Sequence, residues 1–133
     1  MIGILSSDIE KSWGSISNAI IKGNGKADFL KWWNLSDIKD KLKNKHWQCW
    51  TTGDAYFLTC ITRYPTGYRE FEILLVVGKG MDMWNEQAWS TLKQFARHNR
   101  CHEIKFMGRK GWLKYGRKYE KGITPEYRYR VKL

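Results

Sequence analysis

Between Ile73 and Asn99 the chain reads ILLVVGKGMDMWNEQAWSTLKQFARHN, and this stretch limits the fold more than any other. Ile73, Leu74, Leu75, Val76 and Val77 form an unbroken apolar run of strand length, the pattern of a strand covered on both faces inside a sheet. Gly78-Lys79-Gly80 ends the run. Ala88, Trp89, Leu92, Phe95 and Ala96 then recur along one face of a helix. A glycine turn between strand and helix can collect a phosphate on backbone N–H groups; it also serves as a plain connection.

The flanking segments extend this pattern. Ser7-Asp8-Ile9-Glu10 reads as a capping box with Ser7 as N-cap, followed by Ile9, Trp13, Ile16 and Ile20 at helical spacing and a stop at Gly23. Ala27 to Trp33 reads as a second short helical piece. Ser36 caps a third, with Ile38 and Leu42 inward and Lys39, Lys41, Lys43 and Lys45 outward. His46 to Thr51 and Ala55 to Tyr64 are strand-like and joined across Thr52-Gly53-Asp54 as a hairpin. Pro65-Thr66-Gly67 turns into a strand over Tyr68 to Val77. The helix covers roughly Met83 to His98, and Cys101 to Met107 is the next strand. Trp112 to Tyr119 holds a short helix, and Glu126 to Leu133 alternates as a final strand. Strands in series followed by alternating helices and strands predict an α+β fold (an α/β mixed sheet with helices on its faces). The 133 residues form one domain, helical over 1–45 and carrying sheet and central helix over 46–133.

Composition narrows the function. No apolar run approaches membrane-span length, so no membrane span is expected. Cys49, Cys60 and Cys101 have no metal-ligand spacing and do not combine with His46, His98 and His102 in a zinc pattern; free thiols and no metal site are expected. The net charge is +11, and the segment from Lys93 onward carries 13 basic against 3 acidic residues. Such a surplus suits an acidic partner such as nucleic acid, or simply a solvated basic face. Gly108 to Gly122 (GRKGWLKYGRKYEKG) interleaves Arg109, Lys110, Lys114, Arg117 and Lys118 with aromatics and is the candidate contact for nucleic acid or an acidic partner.

The segments LVVGKGMDMW, FARHNRC and FMGRKGW, in this order and spacing, resemble small GNAT-like (GCN5-related N-acetyltransferase fold) proteins of tailed bacteriophages, including internal virion proteins of short-tailed phages. The resemblance covers about residues 46 to 133. It implies N-terminal helices, antiparallel strands, a central helix after a glycine loop, a splayed strand, and a C-terminal strand. It also implies a virion-associated structural or assembly role for a phage-encoded protein. Other phage virion proteins would be its partners, DNA contact would be non-specific, and it would reside in the phage particle and, during infection, in the host cytoplasm.

An active N-acetyltransferase acting on an amine or host protein is the alternative, and a basic nucleic-acid-binding module is the second. In the GNAT family the glycine loop holds acetyl-CoA, so the resemblance makes Val77, Gly78, Lys79, Gly80 and Met81 the cofactor-binding candidates. The family's usual loop begins with Arg or Gln, whereas Val77 stands there, and Asp82 adds an opposing charge. On this reading no cofactor is required, and acetyl-CoA is the one the fold implies. Catalysis would need an acid for the leaving thiolate and a base for the amine. Tyr115 is the candidate acid, with Tyr119 behind it. Glu72 is the candidate base, with Glu70 beside it. Each also reads as an ordinary edge tyrosine or strand carboxylate.

Overall fold

The computed structural model describes residues 1–53, 55–78, 86–108 and 112–133, without the side chains of 24–27 and 112. Five strands form one mixed sheet in the order β1-β2-β3-β4-β5. They are β1 (Ile2–Ile4), β2 (Trp47–Thr52), β3 (Ala55–Arg63), β4 (Arg69–Gly78) and β5 (Glu103–Phe106). The first four run antiparallel to their neighbours, and β5 joins β4 in parallel. The helices are α1 (Ile9–Ala27), α2 (Leu35–Lys43), α3 (Glu86–His98) and α4 (Trp112–Gly116). The α+β class is as expected. The inner position expected of the whole Ile73–Val77 run is corrected: among the described residues β5 pairs with β4 only as far as Ile73, so 74–77 have β3 on one side alone, and the run is apolar because both of its faces are packed against helices.

Two cores lie on opposite faces of the sheet. Ile9, Ile16 and Ile20 of α1 and Ile38 and Leu42 of α2 pack with Trp47, Leu58, Leu75 and Val77. On the other face Ala88, Trp89, Leu92 and Ala96 of α3 pack with Trp50, Phe57, Phe71 and Ile73. The helical periodicity therefore identified the inward faces of all three helices. Across the sheet, the buried Trp50 indole donates to Thr59 Oγ1 at 2.9 Å, and that hydroxyl donates to Gln48 Oε1 at 3.0 Å. This chain lets two buried polar groups cross the hairpin without loss.

Several local expectations are corrected. The capping box does not form: Ser6–Asp8 is a 3-10 turn, α1 starts at Ile9, and both Glu10 oxygens are taken by Lys39 (2.8 Å) and Lys43 (3.1 Å) of α2. Asn34, not Ser36, caps α2, its side chain accepting from the Asp37 amide at 2.8 Å. Only Phe29–Lys31 of the second helical piece is ordered as a turn of 3-10 helix. The apolar start forms β1, which pairs with β2 and so adds a strand to the segment read as helical. Glu126 to Leu133 forms no strand; Tyr127, Tyr129 and Val131 stand exposed, and Arg130 lies 5.0 Å over the Trp32 ring. Its alternating pattern exists without a neighbour to pair with, and a lone strand is not stable.

Gly23 does not stop α1. It sits where the helix crosses β4, and a Cβ there would meet Val77 Cγ1 at 2.6 Å. Glycine costs helix propensity at this position but permits the close approach. Gly23→Val should destabilise the protein by about 1–3 kcal/mol through overpacking. In a Val77→Ala background denaturant unfolding should show much of that loss relieved, because the two sites share one contact.

Acid should weaken the fold. Hydrogen bonds from Lys39 and Lys43 hold the Glu10 carboxyl below its ordinary 4.5, and the hydrogen bond from Lys93 does the same for Glu120. Both carboxyls bind protons more weakly folded than unfolded, so their stabilisation is complete above about pH 4.5 and disappears as pH falls through the lowered native values. Thermal melts should show this acid loss. Lys39→Met with Lys43→Met should flatten it relative to the native chain.

Candidate acyl-cofactor cleft

The site begins with one extra residue. β3 and β4 keep register from Ala55↔Gly78 to Leu58↔Leu75, then shift so that Thr59 faces Ile73. Leu74 is thus unopposed, a β-bulge that puts two successive residues on one face. Phe71 and Ile73 enter the α3-side core, whereas Leu74, Leu75 and Val77 belong to the α1 side. An unbroken apolar run tolerates this change of phase because both faces are covered.

The ladder to β5 ends at the same place. Glu70↔Glu103, Phe71↔Ile104, Glu72↔Lys105 and Ile73↔Phe106 pair, and no later pair follows among the described residues. β4 continues to Gly78 against β3 alone. Backbone groups of residues 74–77 that point away from β3 therefore have no strand partner, an edge suited to an extended amide-bearing ligand. At its end Gly78 has φ 110°, a conformation that side chains disfavour. Gly78→Val should cost about 1–3 kcal/mol of stability by urea unfolding, and Gly78→Asn should cost less.

The predicted site residues fall in different surroundings. Val77 is buried in the α1-side core and has only backbone to offer a ligand. Gly78 stands at the end of β4, while Lys79, Gly80, Met81 and Asp82 lie outside the described residues. Glu72 sits one pair before the β4–β5 ladder ends, partly exposed, beside Cys60 across the β3–β4 pairing. Tyr115 is 57% exposed on α4 with Lys118 Nζ 5.5 Å from its ring centre. Tyr115 and Glu72 are thus on separate elements, one facing solvent and one within the paired half of β4. Tyr119 follows α4 and is exposed. Lys114, Arg117 and Lys118 are exposed, and Arg109 and Lys110 lie outside the described residues.

Sequence reasoning made Glu72 the candidate base with Glu70 beside it. Glu70 is 7% exposed, pairs with Lys105 Nζ at 3.2 Å and accepts from Tyr64 Oη at 3.3 Å. Burial works to raise its carboxyl, but hydrogen bonding with Glu103, Lys105 and Tyr64 prevails and holds it below the ordinary value. An acid so engaged is a structural anion. The thiols are poor nucleophiles: burial pushes Cys49 up to about 12 and, with Glu72 nearby, Cys60 up to about 11. All three cysteines are free, and no group of three potential metal ligands occurs among the described residues. No described helix is long and apolar enough to cross a membrane.

Four antiparallel strands, a helix across the sheet and a parallel strand paired with only the first half of β4 match the N-acetyltransferase (GNAT) fold. Solved structures agree. An aminoglycoside acetyltransferase, meta-AAC0020, from an uncultured soil metagenomic sample in complex with sisomicin matches with a TM-score of 0.70 and 9% identity, over 98% of this chain and 93% of that one. A predicted acetyltransferase with acetyl-CoA from Clostridium acetobutylicum matches with a TM-score of 0.62 and 18% identity, over 97% and 93%. The ribosomal-protein-alanine N-acetyltransferase from Brucella melitensis biovar Abortus 2308 matches with a TM-score of 0.58 and 10% identity, over 98% and 96%. No protein-family model and no curated protein sequence matches the chain. At these identities the likeness is one of fold.

Proposed function

We propose that the chain is an acyl-CoA-dependent N-acyltransferase whose acyl donor lies where β4 and β5 part. The observation that supports it is the bulge at Leu74 coinciding with the end of the β4–β5 ladder at Ile73↔Phe106. Acetyl-CoA, present in one structural neighbour, supplies an activated acyl group when bound. The uncovered β4 edge suits its amide-bearing arm; Gly78 ends that edge, and Lys79, next in sequence, is a cation for its phosphates. Glu72 accepts the proton that the attacking amine must lose, and the Tyr115 phenol holds the proton that the departing thiolate needs. Val77 in place of a polar loop residue, and Asp82 nearby, keep the affinity modest.

Calorimetry with acetyl-CoA should give a Kd on the order of 10–100 μM, about −7 to −5.5 kcal/mol, weakened in Lys79→Glu. Thiol release with an amine panel should fall roughly 100-fold in Tyr115→Phe with acetyl-CoA binding retained. Absence of heat up to millimolar acetyl-CoA in folded protein would reject this reading. A second reading, a structural role beside packaged DNA in a phage particle, is supported by the sequence resemblance and by the exposure of Lys114, Arg117 and Lys118. It needs no cofactor, so DNA retention by a chain that binds no acetyl-CoA would favour it.

A further inference from the structure

We infer that a basic cleft at the opposite end of the sheet is a binding site for phosphate groups, those of a single-stranded nucleic-acid backbone or a free phosphate. The cleft, of about 400 Å³, is lined by Lys45, His46, Gln48, Arg63 and Asn99 over an apolar floor, and no carboxylate lines it among the described residues. It lies where β3 ends and β4 begins. The edge proposed for the acyl donor begins at Leu74, five residues along β4 from Arg69 and roughly 17 Å away at strand rise. The inference is independent of acyl transfer.

Three features converge there. First, Arg63 and Arg69 are directly opposed across the β3–β4 pairing, a like-charge arrangement that sheets disfavour. Arg69 is accommodated, since its guanidinium donates to the Asn99 carbonyl at 3.0 Å. Arg63 stays exposed at the cleft and has no ion-pair partner among the described residues. An anion in the cleft would relieve the repulsion.

Second, Lys45 stands at the end of α2 with φ 64°, followed by a hydrogen bond from the His46 amide to the Lys41 carbonyl at 3.0 Å. That ending favours glycine. A lysine there places a cation at the cleft in a backbone conformation it does not prefer.

Third, the buried hydrogen-bond chain ends at the cleft with a fixed polarity. The Trp50 indole can only donate, so Thr59 Oγ1 accepts from it and must donate onward to Gln48 Oε1. The Gln48 carboxamide is thereby oriented with its NH₂ left as a donor at the cleft wall. Two cations, an imidazole and an oriented N–H donor are the chemistry of a phosphate site.

The test is fluorescence anisotropy with a labelled oligothymidylate across a salt series. Arg63→Gln with Lys45→Gly should weaken binding at least tenfold and reduce the slope of log K against log salt by about 1.4, two single-strand phosphate contacts. Lys45→Gly alone should weaken binding while leaving the melting temperature unchanged or raised, which separates a site from a folding defect. Neutralising Lys114, Arg117 and Lys118 should change affinity less than threefold. Inorganic phosphate that displaces the oligonucleotide beyond chloride of equal ionic strength would assign the site to single phosphate groups. Phosphate no better than chloride would assign it to the strand backbone. Absence of oligonucleotide binding at low salt, or affinity and salt slope unchanged in the double variant, would overturn the inference.

Discussion

One unopposed residue, Leu74, sets the geometry of β4 beyond its pairing with β5. A β-bulge increases local twist and bends its strand. Here the bend coincides with the place where β5 stops pairing, after Ile73↔Phe106. Without the bulge, Leu75 and Val77 would lie on the same face as Phe71 and Ile73, and the α1-side core would lose them. The same irregularity therefore serves two ends: it directs Leu75 and Val77 toward α1, and it leaves the outer edge of β4 free of a strand.

The bulge also makes a demand on α1. Turning Val77 toward the helix brings the two backbones together, and only Gly23 leaves space for the Val77 methyl group. Farther along the sheet, β5 is fixed at its start: the His102 amide donates to the Arg69 carbonyl at 2.8 Å, and His102 Nδ1 accepts from the Arg69 amide at 3.0 Å. Tyr68 stacks on the His102 ring at 4.7 Å. β5 is thus anchored at its start, and its pairing with β4 runs to its last residue, Phe106, opposite Ile73.

Much of this was legible in the residues. The five-residue apolar run marked a strand covered on both faces, though not that β5 would stop beside Ile73, and the spacing of Ala88, Trp89, Leu92 and Ala96 identified the buried face of α3. The bulge was not legible, because a strand apolar on both sides carries no alternation whose phase could be seen to change. Gly23 was misread for a related reason: a glycine that stops a helix and one that lets a strand approach look alike until the strand is present. Glu126 to Leu133 shows the opposite error, a sound alternating pattern with no partner. The fate of Glu70 depended on Lys105 and Tyr64, which lie 35 and 6 residues away and meet it only through the sheet.

The distribution of charge in the chain and in space differ in a way that bears on function. The sequence concentrates basic residues after Lys93, which directs attention to α4 and its exit turn. There Lys114, Arg117 and Lys118 are exposed, so each solvated charge contributes little alone. Lys45 and Arg63 belong to the less basic part of the chain, yet folding brings them to one cleft without a carboxylate on its wall among the described residues. A concave arrangement focuses potential where a convex one disperses it. The strongest anion site need not lie in the most basic stretch of sequence.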